Sequence, residues 1–100
     1  MANKARGEAE IKLGGEAFVC VASLGALARI EGRLGKALPY VLQDVTEGSY
    51  AACLCILEET CTEGRDKIAD LIAGPVELAN AAAEVFQASG LLGGEASEKN

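Results

Sequence analysis

The pair Gly14-Gly15 stands between two six-residue segments of alternating or near-continuous apolar character. From Glu8 to Leu13 the alternation is strict. Ala9, Ile11 and Leu13 fall on one side of an extended chain, while Glu8, Glu10 and Lys12 fall on the other. Two adjacent glycines supply the positive φ values of a two-residue primed turn without steric cost. The spacing therefore predicts an antiparallel hairpin in which Ile11 faces Phe18 and Ala9 faces Cys20 on the core side. The same register sets Val19 and Val21 beside Glu10 and Glu8 on the outer side, so the second strand is apolar on both faces. Two readings of that outer face stand: a further helix covers it, or another subunit or partner does.

After the hairpin the period changes to that of helices. Ser23 is placed to cap a helix whose Leu24, Leu27, Ile30 and Leu34 recur on one stripe, with Gly35 ending it. Pro39 suits the first turn of a second helix carrying Leu38, Val41, Leu42 and Val45. Ser49 is the next cap. The run Tyr50 to Leu57 is wholly apolar, and its length and alanine content favour a central buried helix. Gly64 breaks it. A short amphipathic helix is expected over Arg65 to Ile72 with Ile68, Leu71 and Ile72 inward, and Pro75 opens a last helix with Leu78, Ala82, Val85 and Phe86 inward. Met1 to Arg6 read as a loose polar arm and residues 91–100 as a flexible tail. The fold class that follows is α+β: an N-terminal antiparallel β-hairpin packed on a bundle of four to five short helices, as one domain over residues 1–90.

Half of the 100 residues are hydrophobic but only 4% are aromatic, so the core is built from Leu, Ile, Val and Ala, with Phe18, Tyr40, Tyr50 and Phe86 as its large pieces. The formal charge of -6, with nine dispersed basic residues, argues against nucleic acid as a partner. No apolar run approaches the roughly 18 residues of a membrane span, and no signal-like segment follows the N-terminal basic residues, so a cytosolic protein is expected.

The chain holds no histidine, which removes Ser-His and Cys-His couples from consideration. Ser23 lies at a strand-to-helix turn, as a hydrolase nucleophile does, but the glycine that should precede it is absent, and a helix cap is the expected role. Gly32 to Lys36 has too few residues between its glycines for a phosphate loop and lacks the following hydroxyl. Glu58 and Glu59 are neighbours and diverge by about 100° on a helix, so they read as a solvated face and not as a catalytic pair. Cys20, Cys53, Cys55 and Cys61 contain no CxxC, and Cys53 and Cys55 diverge by about 200° on a helix, so metal binding is not expected. Small buried thiols are expected instead, Cys61 sharing a helix side with Cys53. No catalytic, cofactor or metal residue is assigned, and the chain is expected not to be an enzyme.

Ala2-Asn3-Lys4-Ala5-Arg6-Gly7-Glu8, the Gly14-Gly15 hairpin, and Leu24-Gly25-Ala26-Leu27-Ala28 with Ile30-Glu31 and Leu34-Gly35 resemble the small tail proteins of gene transfer agents and tailed phages. That family is named both for the phage tail tube and for tail assembly chaperones. The likeness covers the first half of the chain; the second half matches in helical pattern alone, and no residue role is carried over. The resemblance implies a protein of a prophage or gene-transfer-agent tail operon, made in the bacterial cytoplasm, acting in tail assembly or retained in the virion tail. Tube subunits of this kind build rings from many-stranded β-sandwiches, whereas two strands are legible here, which favours the chaperone. Its implied partner is the tape-measure protein, with the tail tube protein and self-association as further contacts, through a helix-in-groove mode. The candidate protein-binding residues are Val19, Val21 and Leu24. The alternative is a structural tube or adaptor subunit. A helix-turn-helix regulator would need a basic recognition helix, and none is present.

Overall fold

The computed structural model describes residues 7–89. Strands β1 (Glu8–Leu13) and β2 (Glu16–Val21) form the hairpin, followed by helices α1 (Leu24–Leu34), α2 (Leu38–Thr46), α3 (Tyr50–Thr60), α4 (Arg65–Ile68) and α5 (Pro75–Ser89). The class is α+β, a two-stranded antiparallel sheet against five helices. The arm expected over Met1 to Arg6 and the tail over residues 91–100 lie outside the described residues.

The hairpin has the register that its alternation predicts, with Ile11 opposite Phe18 and Ala9 opposite Cys20. Gly14 and Gly15 take φ of 58° and 84°, the left-handed conformation that a two-residue turn requires at both positions. Ala9, Ile11, Leu13, Phe18 and Cys20 are buried on the core face. There β1 lies along α5, while α3 packs between α1 and α5. Six of the eleven residues of α3 are buried, so it is the helix surrounded on most sides. From α5, Leu78, Ala81, Ala82, Val85 and Phe86 complete the core. Burying a side chain such as Phe86 fully contributes about 1.5–3 kcal/mol.

The helix ends follow from local chemistry. Ser23 and Ser49 each accept a backbone N–H at 3.2 Å, from Ala26 and Ala52. Gly35 takes φ of 70° and donates its N–H to the Glu31 carbonyl at 2.8 Å, so the Gly32 to Lys36 stretch is a helix end. The N-cap of α2 is Ala37, which has no side-chain oxygen. Glu31 supplies one from the preceding helix, its Oε2 accepting the Leu38 N–H at 2.7 Å.

Four expectations change. Tyr40 and Tyr50 are 62% and 52% exposed, because each stands in the first turn of its helix at the margin of the core. The stripe of α1 that begins with Leu24 is not buried along its length: Leu24 is 86% exposed, and Ala26 and Ile30 are the buried residues of that helix. The helix expected over Arg65 to Ile72 stops at Ile68, and Ile72 is exposed. Cys61 stands just beyond α3 in extended conformation, so it does not continue the helix side of Cys53.

Candidate functional site

Val19 and Val21 are half-buried on the outer face of β2, beside exposed Glu10 and half-buried Glu8 of β1, and Leu24 is exposed at the start of α1. The edge of β2 is partly covered, and the cover is a segment after α3. The Val19 carbonyl accepts both the N–H and the Oγ1 hydroxyl of Thr62, at 2.9 and 3.1 Å. The candidate residues from the sequence thus lie on a sheet face and a helix start, with no polar constellation beside them that would perform chemistry.

A concave apolar site lies elsewhere. Leu13 from β1, Tyr50 and Leu54 from α3, Ile68 from α4, Leu71 from the segment after α4, and Leu78 from α5 are the main lining of a cleft of about 320 Å³. The chain from Ala69 to Gly74 runs without helix and contributes Ala69, Leu71 and Ala73 to the lining opposite α3. Two hydrogen bonds hold the surrounding pieces: Tyr50 donates its hydroxyl to the Ala73 carbonyl at 3.2 Å, and Gly14 donates its N–H to Glu77 Oε2 at 3.1 Å. Tyr50 alone among the lining side chains carries a polar atom. Ile72 and Val76, flanking the lining residues in sequence, are 92% and 71% exposed. An apolar lining whose one hydroxyl is already engaged is suited to apolar groups and presents no acid, base or nucleophile. Sequence reasoning missed this cleft because Ile68, Leu71 and Ile72 have helical spacing. Gly74-Pro75 disfavours helix only at Gly74, so it did not mark the stop at Ile68.

The acidic pair after the apolar run of α3 is a structural ionic cluster. Glu59 Oε1 accepts from Arg29 Nε at 2.9 Å and Oε2 from Arg33 Nη1 at 3.1 Å, with Arg65 Nη2 3.3 Å from Oε1. Glu58 pairs with Arg33 at 3.0 Å. The Glu59 side chain is only 9% exposed, so the expectation of a solvated face does not hold for it. Burial works to raise the Glu59 carboxyl, but the hydrogen bonds from Arg29 and Arg33 and the charge of Arg65 outweigh it and hold the group below its ordinary value. A carboxylate engaged in this way is kept ionised as the tie between α1, α3 and the start of α4.

Cys20, Cys53 and Cys55 are buried and Cys61 is half-buried. Burial pushes the thiol of Cys20 up to about 12, with the Thr60 hydroxyl opposing and Cys61 reinforcing the shift. Burial also raises Cys53 and Cys55. Thiols so raised stay protonated and are poor nucleophiles. Among the described residues no three His, Cys, Asp or Glu side chains gather as metal ligands, and no helix is long and apolar enough to cross a membrane. No protein-family model, curated protein or solved structure matches the chain.

Proposed function

We propose that this chain is a non-enzymatic tail-assembly protein of a tailed phage or gene transfer agent, a chaperone that shields an apolar helix of the tape-measure protein until the tail tube forms around it. The observation that carries the reading is the apolar cleft between α3 and the 69–74 segment, with Ile72 and Val76, next in sequence to its lining residues, exposed on a chain of net charge -6. Exposed apolar surface marks a contact site, and the negative charge keeps unbound copies apart. An amphipathic helix would present side chains at i, i+3 and i+4 to such a groove. Two aliphatic side chains seated in the cleft would supply about 3–6 kcal/mol, short of the roughly 8 kcal/mol that a dissociation constant near 1 μM requires. Contacts to Ile72 and Val76 are therefore needed for capture, and an affinity of this order suits a partner that must be released.

The test is co-purification with the tape-measure protein encoded in the same gene cluster. The pair Ile72→Asp and Val76→Asp touches only exposed side chains and should leave the fold intact while abolishing capture. The pair Val19→Lys and Val21→Lys should leave capture in place. If the hairpin pair alone abolishes it, the binding face is β2 with Leu24; if neither pair affects capture and tails are normal, the chaperone reading fails.

A further inference from the structure

Cys61 ends α3 with φ of -67° and ψ of 132°, an extended conformation that swings the chain alongside β2. There it pairs antiparallel and directly opposite Cys20. The flanking bond from the Thr62 N–H to the Val19 carbonyl, 2.9 Å, identifies Cys20 and Cys61 as a non-hydrogen-bonded pair. Side chains of such a pair project from the same face, and the Cα atoms stand about 4.5 Å apart, inside the range of about 4.4–6.8 Å found across disulfides. The Cys61 thiol donates to the Glu63 carbonyl at 2.7 Å, a single weak contact that oxidation would give up. The other two cysteines have no such relation: Cys53 and Cys55 both sit inside α3, about 200° apart around its axis.

We propose that Cys20 and Cys61 are an oxidisable dithiol, a modification site that reacts with low-molecular-weight disulfides such as oxidised glutathione and closes an intramolecular cross-link between β2 and the segment after α3. The exposures assign the order of events. Cys61 is half-buried and Cys20 is 1% exposed, so the incoming disulfide meets Cys61. The Cys61 thiol loses its proton to solvent, its sulfur attacks one glutathione sulfur, the glutathione S–S bond breaks, and one glutathione leaves and takes up a proton. The Cys20 thiol then loses its proton and its sulfur attacks the Cys61 sulfur of the mixed disulfide. The second glutathione leaves and is protonated. Two protein thiols are oxidised by two electrons, and one oxidised glutathione is reduced to two thiols. Burial of Cys20 makes the second step the slow one. The product fastens Thr62 over Val19 and so locks the cover on the β2 edge.

The experiment treats the full chain with oxidised glutathione under native conditions and follows mass, thermal melting and a digest that cleaves after glutamate. Cleavage after Glu59 and Glu63 isolates Thr60 to Glu63 with Cys61 alone, and cleavage after Glu16 and Glu31 isolates Ala17 to Glu31 with Cys20. The expected result is loss of two hydrogens, those two peptides joined, and a melting temperature raised by about 10 °C or more from closure of a loop of about forty residues. Cys20→Ala should stop at the glutathione adduct on Cys61, and Cys61→Ser should gain neither adduct nor cross-link at Cys20. Unmodified thiols, a link that includes Cys53 or Cys55, or only intermolecular links in the wild-type chain would overturn the proposal. Because the joined peptides are read from the wild-type protein, a variant that fails to fold does not affect this outcome.

Discussion

Glu59→Gln should destabilise the protein by about 1–2 kcal/mol at neutral pH, far more than the same change at its neighbour Glu58. Glu59 meets Arg29, Arg33 and Arg65 at 2.9, 3.1 and 3.3 Å, while among the described residues Glu58 pairs with Arg33 alone. The arginines are 59%, 44% and 56% exposed, so each pairing is worth about 0.2–1 kcal/mol and not the larger value of a buried bond. Glutamine keeps an acceptor oxygen for Arg29 but loses the charge that all three arginines share. The loss corresponds to a fall of roughly 5–15 °C in melting temperature for a domain of this size, whereas Glu58→Gln should cost less than about 0.5 kcal/mol. Urea unfolding followed by circular dichroism measures both. The pH dependence has a definite sign. The folded carboxyl of Glu59 lies below its ordinary 4.5, so its contribution is present above that pH and is lost as pH falls through the folded value. The wild-type and Glu59→Gln curves should converge in acid, and the gap at neutral pH should narrow at about 1 M salt, where the screening length is near 3 Å. Equal stabilities at neutral pH, or a gap that persists unchanged into acid, would refute the ionic-tie account.

Other outcomes follow from single sites. The raised thiol of Cys20 contributes stability that is present below its ordinary 9.0 and is lost as pH rises toward about 12, so Cys20→Ala should flatten the alkaline limb of a stability profile. Gly14→Ala combines φ of 58° with a Cβ placed 3.2 Å from that of Leu71, and should cost more than Gly15→Ala, whose Cβ meets nothing within 4 Å. Urea midpoints should show about 1 kcal/mol for Gly15→Ala and about 2 or more for Gly14→Ala; equal costs would contradict the contact with Leu71. Cys53→Ala should cost about 1 kcal/mol as a small buried group, and a metal chelator should leave the melt unchanged.

The hairpin was legible because a period of two and two adjacent glycines leave few alternatives, and the register followed from which face was apolar. Ser23, Ser49 and Gly35 were legible because caps are local chemistry. What sequence did not disclose depends on which turn of a helix meets the core. Tyr40, Tyr50 and Leu24 have core-like side chains, yet each stands in the first turn of its helix and projects past the layer beneath. Glu59 carried no local mark of its role, since its partners lie about thirty residues earlier and six later. Cys61 looked helical by spacing from Cys53, whereas the end of α3 at Thr60 brings it beside Cys20. The cleft arises where helical spacing continues and the helix does not, so pattern alone pointed away from it.

In the proposed chaperone role this protein binds the tape-measure protein during tail assembly and then departs. The most direct measurement is its copy number, by quantitative mass spectrometry, in complexes with the tape-measure protein before tube formation and in finished particles. A chaperone should be present in several copies along each tape-measure chain in the early complexes and absent from the finished particles. Retention in finished particles at the stoichiometry of the tail rings would contradict it and identify a structural subunit.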